Sequence, residues 1–462
     1  MSGLDAPVRL YGSSLANDRQ QSALRSGDVP VGVYGLGKMG LPLAAVYAKT
    51  TGNVLGADID PEVVETVNAG HAHVEGEPGL EDLVRETVTE GELHAYTDGA
   101  KVAEEAAVHV VIVPTLVDEE DDPDLDLVRA VASDIAAGLA PGDMILFEST
   151  LPPRSCQDVL LPLVEAESGL DRSQFGLAFC PERTSSGRAI NDIRGAYPKI
   201  VGGIDEESTR VATLIYEEIT HNEVIQMESA TAAEAVKVFE GVYRDVNIAL
   251  ANELGMMADE LGIDVVDAIE AANTQPYCDI HSPGAGVGGH CIPYYPYFLI
   301  GELSSSTRLL STARSVNEMM PLYTMEFVLG ELRSVGKPPS DASVLVLGLT
   351  YRPGIAETRA TPALPIVDHL DDAGVDVHAV DPVLDEYGEF EAAGATIEQL
   401  GDVEDQTYDG VVMVTSQPAF ESLDVRSLRT PGERLVVVDG RQALTHLRDD
   451  IEVEYCGVGL HD

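Results

Sequence analysis

From Pro30 onward, short apolar runs alternate with longer stretches in which apolar residues recur at helical spacing. VGVYG (31–35) is followed by LGKMGLPLAAVYAKT and then NVLGADID, which predicts strand, glycine turn, helix and strand. Further runs at HVVIV (109–113), MILF (144–147) and GLAFC (176–180) continue the alternation and predict a parallel, doubly wound sheet. Between about 228 and 262 the period changes to one long helical pattern almost free of breakers, expected to act as a spine and a dimer interface. After about 335 a second alternating block begins, with SVLVLGL, DVHAV, GVVMV and RLVVV as candidate strands and no second glycine fingerprint. The pattern therefore predicts an α/β protein with two doubly wound halves around a central helix.

Composition adds a constraint on partners and setting. The chain has 462 residues, 44% of them hydrophobic, enough for two or three domains with full cores. Its 28 basic and 79 acidic residues leave a formal charge of −51, which disfavours nucleic acid and anionic membranes as partners. Only six residues are lysine: Lys38, Lys49, Lys101, Lys199, Lys237 and Lys337. The acidic excess is spread along the chain and reads as a halophilic adaptation to a cytoplasm of molar salt, where the Debye length falls to roughly 3 Å. The acidic stretch DEEDDPDLD (118–126) is expected to be a solvated loop.

Five cysteines without regular spacing argue against a disulfide framework or a zinc site and suit a reducing, cytoplasmic setting. Residues 1–28 are polar with no apolar core, and are expected to form a flexible extension rather than a signal peptide or an anchor. No run reaches the length that a membrane helix needs.

Candidate chemistry begins at Gly35, Gly37 and Gly40, a GxGxxG after a predicted strand and at the start of a predicted helix. In that context the backbone can approach a pyrophosphate at a helix N-terminus, although glycines serving only a tight turn would give the same pattern. Asp58 ends the next strand, close to 20 residues on, where a carboxylate can bind ribose hydroxyls. No Arg or Lys directly follows it to hold a 2′-phosphate, so NAD is favoured over NADP. The expected cofactor contacts are Gly35, Leu36, Gly37, Met39, Gly40 and Asp58, with Thr115 beside them.

Cys291 follows the glycine run PGAGVGGH, which would leave its thiol on exposed backbone as a nucleophile, though a lone cysteine is more often a small buried hydrophobe. Lys237 lies in the long helix, where a desolvated ammonium can steady an oxyanion or a water, or where a lysine can simply snorkel. Glu182, in CPERTSSGRA just after a predicted strand, is placed as a base for water attack on a thioester, or as a plain helix-start glutamate. Thr115, in VPT, offers a hydroxyl to the same water. No residue pattern suggests a metal.

In their order, VGVYGLGKMGLPLA, VPT, EST (148–150), CPERT, the Lys237 helix, PGAGVGGHCIP, GLTYRP (348–353) and VVVDGR (436–441) resemble the nucleotide-sugar 6-dehydrogenase family from about 30 to 445. CPER, FEGVYRDVNIALANEL and GVGGHCIPYYPYFL look most like its UDP-N-acetyl-D-mannosamine branch. The resemblance implies an NAD-binding Rossmann domain over 29–212 and a central helical dimerisation domain with the cysteine over 213–330. It further implies a Rossmann-like UDP-sugar domain over 331–462, and a homodimer.

It also implies an NAD-dependent four-electron oxidation of a sugar C6 hydroxyl through a thioester on Cys291. Lys237 would steady the C6 oxyanion, while Glu182 and Thr115 would manage the hydrolytic water. Glu182, Arg183, Lys237, Gly288, Tyr351, Arg352 and Arg359 would contact the UDP-sugar. UDP-glucose is the second candidate substrate, and a catalytically impaired paralogue that binds NAD and a UDP-sugar is the third reading.

The chain departs from the family pattern at several positions. Gly241 stands where the family has asparagine, four residues after the lysine, and Tyr295 where it has aspartate, four residues after the cysteine. TQPYC (274–278) lacks an expected arginine, Arg352 replaces a lysine, and Gly354 and Ala356 replace acidic residues. Together these changes point to an altered substrate or a weakened enzyme.

Overall fold

In this computed structural model, which describes residues 7–118, 121–301 and 305–461, the chain divides into two compact units. The first comprises 1–239 with 297–302, and the second 240–296 with 303–462, so the central segment is shared between them. The boundary falls inside one continuous helix, Ala230–Gly255, which accounts for most of the long helical pattern; Ala258–Leu261 forms a separate short turn of helix.

The first unit is built on eight strands: β1 (Val31–Tyr34), β2 (Val54–Ala57), β3 (Leu93–Tyr96), β4 (Val108–Val111), β5 (Met144–Phe147), β6 (Gly176–Phe179), β7 (Lys199–Gly203) and β8 (Val224–Gln226). They lie in the order β8-β7-β6-β5-β4-β1-β2-β3, and the six from β3 to β6 have the strand order of a dinucleotide-binding sheet. One pairing differs from the expected all-parallel sheet: β6 and β7 run antiparallel. Side chains alternate between two cores, Met144 and Leu146 entering one while Ile145 and Phe147 enter the other. That is why MILF reads as an unbroken apolar run, for helices cover both faces.

The second unit repeats the arrangement with β9 (Ser343–Leu347), β10 (Asp376–Val380), β11 (Thr396–Ile397), β12 (Gly410–Met413), β13 (Leu435–Asp439) and β14 (Val453–Gly457). All are parallel, in the order β11-β10-β9-β12-β13-β14, which is again the dinucleotide-type order. Val344 and Val346 face one core, and Leu345 and Leu347 the other. Gly35 (φ 91°) and Gly348 (φ 86°) begin equivalent turns after the first strand of each sheet. A helix from Arg308 to Ser334 carries Pro321 in its interior, the reason the sequence pattern did not single it out.

The segment 1–28, expected to be a flexible extension, carries a helix, Asn17–Arg25, with Leu10 and Leu24 fully buried in the first core. Arg25 pairs with Glu218 at 2.7 Å, and Tyr11 donates to Asp205 at 2.9 Å, so both ends are fastened to the helix Glu206–Ile219 and its N-cap. Two apolar anchors in a polar segment give no periodic signal. Within the acidic stretch 118–126, Pro123–Asp124 pairs with Leu116–Val117 as a two-stranded ribbon, while residues 119 and 120 lie outside the described residues.

Candidate active site

The glycine fingerprint sits where the fold predicts a nucleotide. The helix Gly40–Thr51 starts directly after the turn, and its N-cap, Met39, supplies no side-chain acceptor to the first amides. A Cβ on Gly40 would overlap the carbonyl oxygen of Gly35, whereas one on Gly37 would meet open space. The helix thus packs tightly on the turn while the loop leaves room for a pyrophosphate at the positive helix end. Asp58 is half-buried at the end of β2, and its Oδ2 accepts from the Leu36 amide at 2.8 Å. Ile59 and Asp60 follow it, an acidic neighbourhood that suits a ribose hydroxyl and repels a 2′-phosphate. The donor set fits NAD.

Beside this loop β6 is followed by Pro181–Glu182, and two of the six lysines hold that segment. Lys199 Nζ donates to Pro181 O at 3.2 Å and to Glu148 Oε2 at 2.6 Å, and Lys237 Nζ donates to Glu182 O at 2.5 Å. Glu148 is almost completely buried, and its other oxygen accepts from Tyr216 Oη at 2.6 Å. Burial pushes the Glu148 carboxyl above its ordinary range, and the Lys199 charge opposes that shift. The Glu182 carboxylate accepts from the Thr184 amide. Thr184 Oγ1 reaches Met39 Sδ at 3.0 Å, tying CPERT to the fingerprint loop. Arg183 donates to Pro198 O at 3.0 Å, and Thr115 Oγ1 to Thr150 O at 2.6 Å. A small cavity is lined by Glu148, Glu182, Arg183, Lys199 and Tyr216.

In the second unit Cys291 is exposed, as a working thiol needs to be. Tyr295 Oη donates to its Sγ at 3.2 Å. The preceding His290 pairs with Glu357 at 3.0 Å, and the Gly289 amide donates to Arg359 O at 2.8 Å. Gly288 and Gly289 pack on Tyr351, whose phenol is pushed up first by burial and then by Glu357. Thus Cys291, Gly288, Tyr351 and the Arg359 backbone come together, and Arg352 and Arg359 are exposed. Arg441, from VVVDGR, donates to Gly286 O in the same loop at 3.3 Å and to Val414 O, directly after β12, at 2.7 Å.

Sequence reasoning missed the polar network under GLTYRP. Asp381, at the end of β10, accepts from the Leu349 amide at 2.8 Å and the Thr350 amide at 3.0 Å. It also takes bonds from Thr350 Oγ1 and Gln417 Nε2 at 3.1 Å each. Asp381 occupies the place in the second sheet that Asp58 has in the first, but it is 1% exposed. The alignment of GLT after β9 with GLG after β1 was the available signal. A carboxylate so enclosed holds the loop and is closed off from a ribose.

A chain with a nucleotide loop, a pinned Pro–Glu segment and an exposed thiol on a glycine-rich turn has the parts of an NAD-dependent oxidoreductase. It matches the UDP-glucose/GDP-mannose dehydrogenase family over its NAD binding domain (29–220), central domain (231–319) and UDP binding domain (345–446). The UDP-N-acetyl-D-mannosamine dehydrogenase of Pyrococcus horikoshii is 33% identical over 416 residues, spanning 90% of this chain and 96% of that protein. The solved structure of a UDP-D-ManNAc dehydrogenase from Pyrococcus horikoshii covers 93% of this chain and 99% of its own, with TM-score 0.83 and 32% identity. An NDP-N-acetyl-D-galactosaminuronic acid dehydrogenase from Methanosarcina mazei Go1 aligns with TM-score 0.82 and 29% identity, covering 97% of this chain and 98% of its own. The chain belongs to the UDP-glucose/GDP-mannose dehydrogenase family, and is an NAD-dependent nucleotide-sugar dehydrogenase acting on a UDP-sugar. Among the described residues no helix is long and apolar enough to cross a membrane.

Proposed function

We propose that this protein oxidises the C6 hydroxyl of a UDP-N-acetylhexosamine, UDP-N-acetyl-D-mannosamine in the first place, to the uronate through a thioester on Cys291. The observation that carries the reading is the exposed Cys291 thiol on a glycine-rich turn in a chain of this family. The sugar assignment draws on the names of relatives, among them UDP-N-acetyl-D-mannosamine dehydrogenases and an NDP-N-acetyl-D-galactosaminuronic acid dehydrogenase.

Held by the fingerprint glycines and Asp58, NAD would supply the hydride acceptor for both oxidations at C6. The chain's own residues do the rest. Lys237 supplies positive charge for the C6 oxyanion, and Cys291 adds to the aldehyde to form a thiohemiacetal. Loss of a second hydride leaves the thioester, and water held by Thr115 and Glu182 hydrolyses it to carboxylate and free thiol. Gly288, Arg183, Tyr351, Arg352 and Arg359 hold the UDP-sugar. Tyr243 and Leu250, exposed on the helix Ala230–Gly255, support a homodimer formed through that helix.

The test is an assay in molar KCl with NAD and a panel of UDP-sugars. Two NADH per sugar, greatest with UDP-N-acetylmannosamine, is the expected result, and Cys291→Ser abolishes uronate formation. Uronate made at the parent rate by Cys291→Ser removes the thioester. Preference for UDP-glucose changes the substrate. Tight UDP-sugar binding without turnover on any sugar makes the chain an impaired paralogue.

A further inference from the structure

The two most conspicuous departures from the family pattern touch each other. Gly241 stands inside the helix Ala230–Gly255, where glycine brings backbone freedom and no side chain to pack. A Cβ at that position would overlap Cδ2 of Tyr295 and would lie 2.8 Å from its Cγ and 2.9 Å from its Cβ. The phenol ring therefore fills the volume that any other residue at 241 would take.

The ring is fixed as well as admitted. Tyr295 is 7% exposed, its amide donates to Cys291 O at 3.0 Å, and its hydroxyl donates to Cys291 Sγ at 3.2 Å. Backbone and side chain of one tyrosine thus both engage the same cysteine.

We propose that Tyr295 is the hydrogen-bond donor to the reacting sulfur of Cys291, and that Gly241 is the space that admits it. The chain controls its nucleophile from a phenol where the family pattern has an aspartate and an asparagine. The proposal rests on the thioester reading, because only there is Sγ a reacting atom. The sulfur carries charge twice in that reaction. When the thiol adds to the aldehyde, its proton passes to solvent, a sulfur lone pair forms the C–S bond and the carbonyl π pair moves onto oxygen, which takes up a proton. In hydrolysis a water oxygen forms the C–O bond as its proton passes to Glu182, the C–S bond breaks with its electron pair staying on sulfur, and the new carboxyl gives its proton to solvent.

A donor aimed at Sγ stabilises the charged sulfur at both points, and the phenol keeps its own proton throughout. A phenol with a reference pKa of about 10 is a donor near neutrality and not a base. Tyr295 therefore does not take over the work of a carboxylate; it acts on the sulfur instead.

The experiment needs no sugar. Iodoacetamide alkylation of Cys291 is followed by mass spectrometry near neutral pH in the folded, NAD-loaded protein carrying Cys278→Ser, since Cys156, Cys180 and Cys456 are buried. Tyr295→Phe keeps the ring and removes the donor, and is expected to slow alkylation about fivefold. Gly241→Ala keeps the hydroxyl but displaces the ring, and is expected to slow it similarly. The double variant is expected to be no slower than either single one, because both remove the same contact.

Alkylation of Tyr295→Phe at the parent rate overturns the donor role, and additive slowing in the double variant overturns the link to Gly241. If Tyr295→Phe fails to fold, Gly241→Ala decides alone: an unchanged rate overturns the proposal. A slowed alkylation in a protein that makes no uronate would sink the thioester reading and leave the hydrogen bond standing.

Discussion

Lys237 Nζ donates to the main-chain carbonyl oxygen of Glu182 across 2.5 Å, so the lysine expected to steady an oxyanion is held by the residue expected to manage water. Lys199 grips the preceding carbonyl, that of Pro181, at 3.2 Å. Two cations on consecutive carbonyls fix the path of the segment after β6 and keep positive charge at a strand end, where enzymes of this fold class bind ligands. Lys237→Ala is expected to lower kcat on order of 100- to 1000-fold, the usual loss when a preorganised donor is removed. NAD affinity is expected to stay within about twofold, since the role proposed for Lys237 is at the sugar oxyanion and not at the cofactor. Steady-state kinetics with an NAD titration check both, and a loss of NAD affinity alone would make Lys237 part of the cofactor frame.

The legible parts of this chain are those in which one short segment carries the whole signal. Val31–Tyr34 and Met144–Phe147 are buried at every position and read as strands at once. The fingerprint glycines and Asp58 lie inside one strand–helix–strand unit, so their spacing speaks directly. Lys199–Gly203 was missed because it ends in two glycines and pairs antiparallel. Glu148 and Asp381 were missed as anchors because their partners come from distant strands. Gly241 reads in the sequence only as a departure from the family asparagine for the same reason: Tyr295, which occupies its missing side chain, is remote in sequence.

That contact gives Gly241→Ala an unusual sign. Alanine in place of an interior helical glycine ordinarily stabilises by about 1 kcal/mol. Here the new methyl meets the Tyr295 ring, and overpacking of this kind costs about 1–3 kcal/mol, so net destabilisation is expected. In a Tyr295→Ala background the obstruction is gone and the same substitution becomes stabilising. Urea unfolding of the four proteins in molar KCl measures the cycle. Stabilisation by Gly241→Ala in the Tyr295 parent would contradict the packing.

His109 gives the first unit an acid limit. It is fully buried on β4, with Nδ1 3.0 Å from Tyr34 Oη and Nε2 3.7 Å from Asp143. Burial, and secondarily the charge of Arg9, push its pKa down to about 3 from 6.5. Between these values the unfolded chain binds a proton that the folded chain does not, so stability falls as pH falls through this window and is fully present above it. Between about pH 7 and pH 4 the parent is expected to lose about 3 kcal/mol more than His109→Gln, which does not titrate. Equal acid losses in the two proteins, by urea unfolding, would place the acid sensitivity elsewhere.

The charge balance makes salt the last and broadest test. Ion pairs such as Arg25–Glu218 at 2.7 Å and Lys49–Glu86 at 2.9 Å are weakened by salt, while repulsion among carboxylates is relieved by it. With 79 acidic residues against 28 basic ones, most carboxylates have no cation to lose, so relief of repulsion wins. Screening tightens from a Debye length of about 10 Å at 0.1 M to roughly 3 Å at 1 M. The urea midpoint is therefore expected to rise steadily from about 0.1 M to about 2 M KCl, well beyond where an ordinary protein levels off. Sucrose, which strengthens burial without screening charge, separates the two effects. A midpoint that is flat in KCl but rises in sucrose would show that charge repulsion does not limit this fold, and would remove the case for adaptation to salt.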